Sequence, residues 1–185
     1  MMEKSTTLGV VSFLNSRPLI YGLEAQEGIR LLFDVPSKLP ALLTENRAQA
    51  ALVPVIEAAR AGDAVRLVSD ACIAADGPTM TVRVFSRIPP QDVRVIHTDS
   101  DSRTSVALAR LIWSRWYKQS TALKPLTQPG RWDECEAVLL IGDKVVTSAP
   151  KDFEHHVDLG SVWKQWTGLP FVFAVWAARR VAVDE

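Results

Sequence analysis

The sequence predicts an α/β fold built as two lobes, and three features predict it. Short runs of β-formers, such as 8–13, 50–53 and 137–141, alternate with segments whose apolar residues recur at helical spacing. Pro89-Pro90 makes the clearest break in the chain. A late apolar run, 171–176, is placed to cross back from the second lobe to the first. The expected division is 1–87 plus 174–185 for the first lobe and 88–173 for the second, with a cleft between them.

In order, 8–13 reads as a buried strand ending in the polar corner Leu14-Asn15-Ser16-Arg17-Pro18, with Pro18 in the first turn of a short helix through Leu23. A second strand follows at 29–35. Ser37 is expected to cap a helix that uses Leu39, Leu42 and Leu43, with Pro40 tolerated in its first turn. The strand 50–53 leads into the helix Val55–Ala61, closed by Gly62. Strand-like pieces follow at 65–68 and 71–75, then the turn Asp76-Gly77-Pro78. An alternating strand at 79–86 puts Met80, Val82 and Val84 on one side and Thr81, Arg83 and Phe85 on the other.

Beyond Pro90 come a strand at 93–97 and a long helix carrying Val106, Ala109, Ile112, Trp113 and Trp116. An extended piece at 123–126 and a loop at Gln128-Pro129-Gly130 lead to the buried strand Ala137–Ile141, ending in Gly142-Asp143. A short helix is expected over 161–166, capped by Ser161 and stopped by Gly168, before the strand 171–176. Strands alternating with helices in this way imply parallel sheets, in which ligands bind outside the carboxyl ends of strands.

Composition narrows the function. Among 185 residues, Lys plus Arg and Asp plus Glu balance at 21 each, so no global field favours nucleic acid or an anionic membrane. No segment reads as a signal peptide or membrane span. Cys72 and Cys135 are far apart without a CxxC, which fits reduced thiols in a cytoplasmic protein. GxGxxG, GxxxxGK[ST] and GxSxG are all absent. His155-His156 reads as a solvated loop pair rather than a metal site, and no metal is expected. His97 is a proton carrier or a polar strand cap.

Between strand and helix lies Asp99-Ser100-Asp101-Ser102-Arg103-Thr104-Ser105. A helix start with hydroxyls and a guanidinium suits a carboxylate or phosphate; the alternative is a capped helix whose hydroxyls serve its own backbone. Asp143, just past a strand end, is a candidate base or hydroxyl-orienting group, or else a turn former. Arg17, beside Asn15, is a candidate anion clamp or an exposed corner residue. The six Trp residues read mainly as core.

Taken together, four blocks carry a family resemblance. Val11-Ser12-Phe13-Leu14-Asn15-Ser16-Arg17-Pro18-Leu19 resembles the "SYLNxxPL" opening of the MqnA family, the chorismate dehydratases of the futalosine route to menaquinone. Asp99-x-x-Ser102-Arg103-Thr104-Ser105 resembles its "DxxSRTS" turn, and Leu140-Ile141-Gly142-Asp143 its "IGD". The stretch from Asp158-Leu159-Gly160 through Trp163, Thr167-Gly168-Leu169-Pro170-Phe171 and Phe173-Ala174 to Trp176 is similar to "DLGxxWxxxTGLPFxFAxW".

The resemblance implies a two-lobed fold of the periplasmic-binding-protein type 2 kind. It also implies conversion of chorismate, a small dicarboxylate, to 3-[(1-carboxyvinyl)oxy]benzoate with no cofactor. Asn15 and Asp143 are then the catalytic candidates, and Arg17, Thr81, Ser102, Arg103, Thr104 and Ser105 the substrate-binding ones. Thr81 stands where the family usually has Ser, keeping the hydroxyl and adding a methyl. Family members continue through a largely helical C-terminal segment after the position of Trp176. Its absence is expected to leave one side of the first sheet under-covered and the chain marginally stable or self-associating. The competing readings are a non-catalytic module that binds or senses small organic anions on the same fold, and a truncated, inactive homologue.

Overall fold

The computed structural model describes residues 5–98, 101–126, 131–132 and 134–180. Along the chain run β1 (Thr6–Val11), β2 (Ile29–Asp34), α1 (Leu39–Thr44), β3 (Ala50–Pro54), α2 (Val55–Ala61), β4 (Val65–Ala75), β5 (Val82–Ser86), β6 (Val95–Thr98), α3 (Arg103–Leu111), β7 (Ala122–Pro125), β8 (Ala137–Ile141), α4 (Lys144–Thr147), β9 (His155–Asp158), α5 (Leu159–Thr167) and β10 (Phe171–Arg179). Two compact units result. Residues up to Ile73, together with those from Val172 onward, form the first, and Ala74–Phe171 form the second.

The first unit carries a five-stranded sheet in the order β2-β1-β3-β10-β4. β1 pairs in parallel with β2 and β3, whereas β10 runs antiparallel to β3, with Trp176 opposite Leu52. Val10, Val11, Leu39, Leu42, Leu52, Val53 and Trp176 form its core. Burying such side chains contributes about 1.5–3 kcal/mol each, which makes α1 stable despite its six residues. β10 is buried from Ala174 to Ala178, residues that alternate between the two faces, so the strand is covered on both sides there. Exposed large apolar side chains in this sheet lie on its two edge strands, Phe33 on β2 and Leu67 and Val68 on β4.

The second unit carries the sheet β7-β6-β8-β5-β9. β6 is parallel to β7 and β8, while β5 is antiparallel to both β8 and β9. The parallel sheets expected from the alternation of elements are therefore mixed sheets. Both reversals involve strands that leave one unit or enter the other: β5 follows β4 across the unit boundary, and β10 returns.

Several local expectations change. The strand Val82–Ser86, read as part of the first lobe, pairs inside the second sheet. Pro90, expected in the second lobe, lies in the second unit, where its carbonyl accepts the indole N–H of the buried Trp113 at 2.9 Å. The corner Leu14–Ile20 is a 3-10 helix. Lys38, not Ser37, takes the N-cap of α1, because its N–H closes a turn onto the Val35 carbonyl. The two pieces at 65–75 are one strand. His155 and His156 lie in β9 rather than in a loop: His156 pairs with Phe85 and His155 with Ser86, so the two rings point to opposite faces. The loop expected at 128–130 lies outside the described residues.

Candidate functional site

In the first unit, β1 ends in a corner fixed by Ser16. This fully buried hydroxyl lies 2.6 Å from the Val11 carbonyl and 2.8 Å from that of Phe13, to which it donates. Ser16 thereby turns Asn15 and Arg17 outward, and both are exposed. The Arg17 guanidinium donates to Glu24 at 3.0 Å and lies 5.2 Å from the Phe33 ring centre. Arg17 thus has a carboxylate partner of its own, in a position open to solvent. The sequence singled out Asn15 and Arg17; the buried Ser between them is what shapes the corner.

In the second unit, the other named residues gather at one end of the sheet. β6 and β8 are parallel neighbours with Thr98 opposite Leu139, so both strands end toward the same edge of the sheet. β5 is antiparallel to β8 with Val82 opposite Ile141, so its beginning lies at that same end. β9 also finishes there, with Asp158 opposite Arg83. Four segments therefore converge: 101–105, 79–81, 142–144 and Asp158.

Asp99 and Ser100 lie outside the described residues. Ser102 is the N-cap of α3. Its extended backbone folds Oγ over the helix start, where it accepts the Ser105 N–H at 3.1 Å and donates to Ser105 Oγ at 2.8 Å. Ser102, Thr104 and Ser105 are buried and Arg103 is exposed. The Ser102 hydroxyl is thus engaged with its own helix in both directions, the capping arrangement weighed against ligand binding in the sequence.

Beyond β8, Gly142 takes φ +60°, a left-handed turn that a side chain would strain. Its N–H donates to the Thr81 carbonyl at 2.8 Å, which joins the 79–81 and 142–144 segments. Asp143 follows with an exposed side chain, and its carbonyl accepts from Val146 and Thr147. Lys144 then reaches Asp101, Nζ to Oδ2 at 2.5 Å, tying the turn after β8 to the turn before α3.

The expected strand 79–86 begins only at Val82. Residues 79–81 form a turn in which Met80 takes φ +61° and is exposed, off the face it was expected to share with Val82 and Val84. The turn is gripped by Asp158. One carboxylate oxygen accepts from the Thr79 N–H at 3.0 Å and the other from the Met80 N–H at 2.8 Å and the Thr79 hydroxyl at 3.0 Å. The same carboxylate caps α5 by accepting the Ser161 N–H at 3.1 Å, the role expected of Ser161 itself. Burial alone would push the Asp158 carboxyl up, but the Thr79, Ser161 and Met80 N–H groups and the Thr79 hydroxyl together hold it below the usual range. Gly160 explains the glycine of the Asp-Leu-Gly block. A Cβ there would meet the Gly77 carbonyl oxygen at 2.4 Å and the Thr79 methyl at 2.5 Å. Sequence reading missed Asp158 as a site residue. The available signal was an Asp directly before a helical pattern, the mark of an N-cap.

Thr81, Ser102–Ser105 and Asp143 are thus brought together within one unit, while Asn15 and Arg17 belong to the other. Among the described residues, no group of three or more His, Cys, Asp and Glu side chains is placed to hold a metal ion. No helix among them is long and apolar enough to cross a membrane.

A family model described as menaquinone biosynthesis matches residues 6–185. A chorismate dehydratase of Thermus thermophilus is 31% identical over 195 residues, covering 94% of this chain and 69% of that protein. The chain belongs to this menaquinone biosynthesis family, the MqnA family. Solved structures agree on the fold. A structural-genomics protein of Archaeoglobus fulgidus superposes with a TM-score of 0.70 at 16% identity, over 97% of this chain and 70% of that one. The alkanesulfonate-binding protein SsuA of Xanthomonas axonopodis gives 0.59 at 10% identity, over 98% and 67%. A Candida albicans protein described as having the generic periplasmic binding protein fold gives 0.53 at 10% identity, over 97% and 65%. This MqnA-family chain has the two-lobed, periplasmic-binding-protein-like α/β fold. Three of its four family blocks supply three of the four converging segments of the second unit, and the fourth block forms the Ser16 corner of the first.

Proposed function

We propose that the chain is a carbon–oxygen lyase that removes water from chorismate to give 3-[(1-carboxyvinyl)oxy]benzoate for menaquinone biosynthesis. The similarity to the Thermus thermophilus chorismate dehydratase carries this reading. The convergence of Thr81, the start of α3 and the Gly142–Asp143 turn supports it.

Chorismate offers two carboxylates and a ring hydroxyl. The start of α3, with Arg103, Thr104 and Ser105, suits a carboxylate through the positive end of the helix dipole and hydroxyl donors. Ser102 contributes by fixing that helix start. Thr81 is assigned to the ring substituents; Asn15 is kept as a catalytic candidate and Arg17 as a carboxylate clamp, for which it would exchange its exposed partner Glu24. Loss of the C4 hydroxyl and the C3 proton leaves an aromatic ring, so the product itself supplies much of the driving force. The site then has mainly to orient the ring and stabilise the departing hydroxyl. Asp143 or a carboxylate of chorismate receives the C3 proton, and the proton and hydroxyl leave together as water.

The test is incubation of the purified chain with chorismate, followed by ultraviolet absorbance and mass analysis. A product lighter by one water, with benzoate absorbance, is expected. Chorismate bound and recovered unchanged would instead identify a binding or sensing module.

A further inference from the structure

We propose that Asp158 is a positioning residue for the reaction, acting through Thr81; this rests on the reading of Thr81 as a substrate-binding residue. An N-cap side chain needs to accept one hydrogen bond, and the bond from the Ser161 N–H already meets that need. The same carboxylate also accepts from the Thr79 N–H, the Thr79 hydroxyl and the Met80 N–H, across 78–79 residues of sequence. Most of its hydrogen-bonding capacity is therefore turned on a segment that capping does not involve.

That segment needs the grip. Met80 holds φ +61°, a conformation unfavourable for a residue with a side chain, and its exposed side chain gains little packing in return. The bond from Met80 N–H to the carboxylate holds the backbone there. Arg83 faces the same carboxylate from β5, its Nε 3.6 Å from Oδ2 and buried without a hydrogen bond, which keeps positive charge beside Asp158. Thr81 comes next in the chain. Its hydroxyl donates to the Thr79 carbonyl at 3.3 Å and its own carbonyl receives the Gly142 N–H. A shift of residues 79–80 therefore moves the Thr81 hydroxyl, while the Gly142 bond holds the Thr81 carbonyl in place. Asp158 touches neither Thr81 nor Asp143 among these bonds; its effect on the site runs through the turn.

The test is a double-mutant cycle on chorismate turnover with Asp158→Asn, Thr81→Ala and the pair. It is accompanied by amide hydrogen exchange at Thr79 and Met80, measured without substrate. Asn cannot accept on its nitrogen, so Asp158→Asn loses the bonds made to one of the two oxygens. Asp158→Asn is expected to lower kcat/KM at least tenfold, and less than twofold when Thr81 is already Ala. Exchange at Met80 is expected to quicken at least tenfold. Equal losses in both backgrounds would show that Asp158 acts by general stability and would overturn the proposal; unchanged exchange would overturn the clamp itself. If Asp158→Asn does not fold, Thr79→Val removes one donor from the carboxylate, and its smaller loss must likewise vanish in the Thr81→Ala background. If the unaltered chain binds chorismate without converting it, the cycle is read on Kd by calorimetry. A chain that neither binds nor converts chorismate overturns the functional reading and the positioning role with it, whereas a failed cycle in an active chain overturns only the latter.

Discussion

Lys144 and Asp101, 43 residues apart, form an ion pair of 2.5 Å that joins the turn after β8 to the turn before α3. The two strands ending there are parallel neighbours, so backbone pairing stops where this side-chain link begins. The Lys144 side chain is 39% exposed and that of Asp101 18%, so solvent screens much of the attraction. Lys144→Met is expected to cost no more than about 1 kcal/mol in urea denaturation. Its coupling to Asp101→Asn in a double-mutant cycle should be measurable and should weaken with added salt. Full additivity of the two substitutions would show that the pair does not hold the turns together.

Ser102 caps α3, and the cap is buried, so water cannot replace it. Ser102→Ala is expected to destabilise the chain by about 1 kcal/mol, within the usual range for a lost N-cap. Ser102→Asp, which retains the acceptor for the Ser105 N–H, should recover part of that loss only if the buried site admits the charge. Thermal melting of the three proteins checks this. A melt unchanged by Ser102→Ala would reassign the hydroxyl from capping to ligand binding.

Much of this architecture was legible in the sequence because apolar periodicity records burial directly. β8, whose five residues are all buried, and α2 with its closing Gly62 fall where their residues predict them. Strand direction was not legible. β5 and β10 have the composition of any buried strand, and only their partners make them antiparallel. The turn at 79–81 was hidden because Thr79-Met80-Thr81-Val82 alternates like a strand, while the group that bends it, Asp158, lies far along the chain. His155-His156 failed for a similar reason: a polar pair reads as loop until β5 is seen to pair with it. At the candidate site, the residues Thr81, Ser102–Ser105 and Asp143 were visible as motif positions. What holds them in place, Asp158 and the Lys144–Asp101 pair, was not, because those are long-range contacts.

Gly160 tests close packing against helix propensity. Ala is the better helix former by about 1 kcal/mol, so in an open helix Gly160→Ala would stabilise. Here the added Cβ would stand 2.4 Å from the Gly77 carbonyl oxygen, a backbone atom that cannot rotate away. The start of α5 or the 77–79 segment must shift, at a cost of roughly 1–3 kcal/mol that outweighs the propensity gain. Denaturant titration should show a net loss, and chorismate turnover should fall with it. A stabilised Gly160→Ala variant would mean that the 77–79 segment yields freely.

Acid should weaken the grip of Asp158 in a direction fixed by its surroundings. Its carboxyl is held below the usual range in the folded chain, by N–H and hydroxyl donors that outweigh the opposing effect of burial. The unfolded chain therefore binds this proton first as pH falls, and the folded chain only later. A group of this kind contributes stability that is complete above its unfolded pKa and is lost as pH falls through its depressed folded pKa. Asp158→Asn has no such titration. The stability difference between the unaltered chain and Asp158→Asn, read from urea denaturation, should be constant from neutral pH down to the ordinary aspartate range. It should then shrink through the acid region below. A difference that stays constant to the lowest pH at which both fold would show that the Thr79, Met80 and Ser161 donors do not favour the charged form.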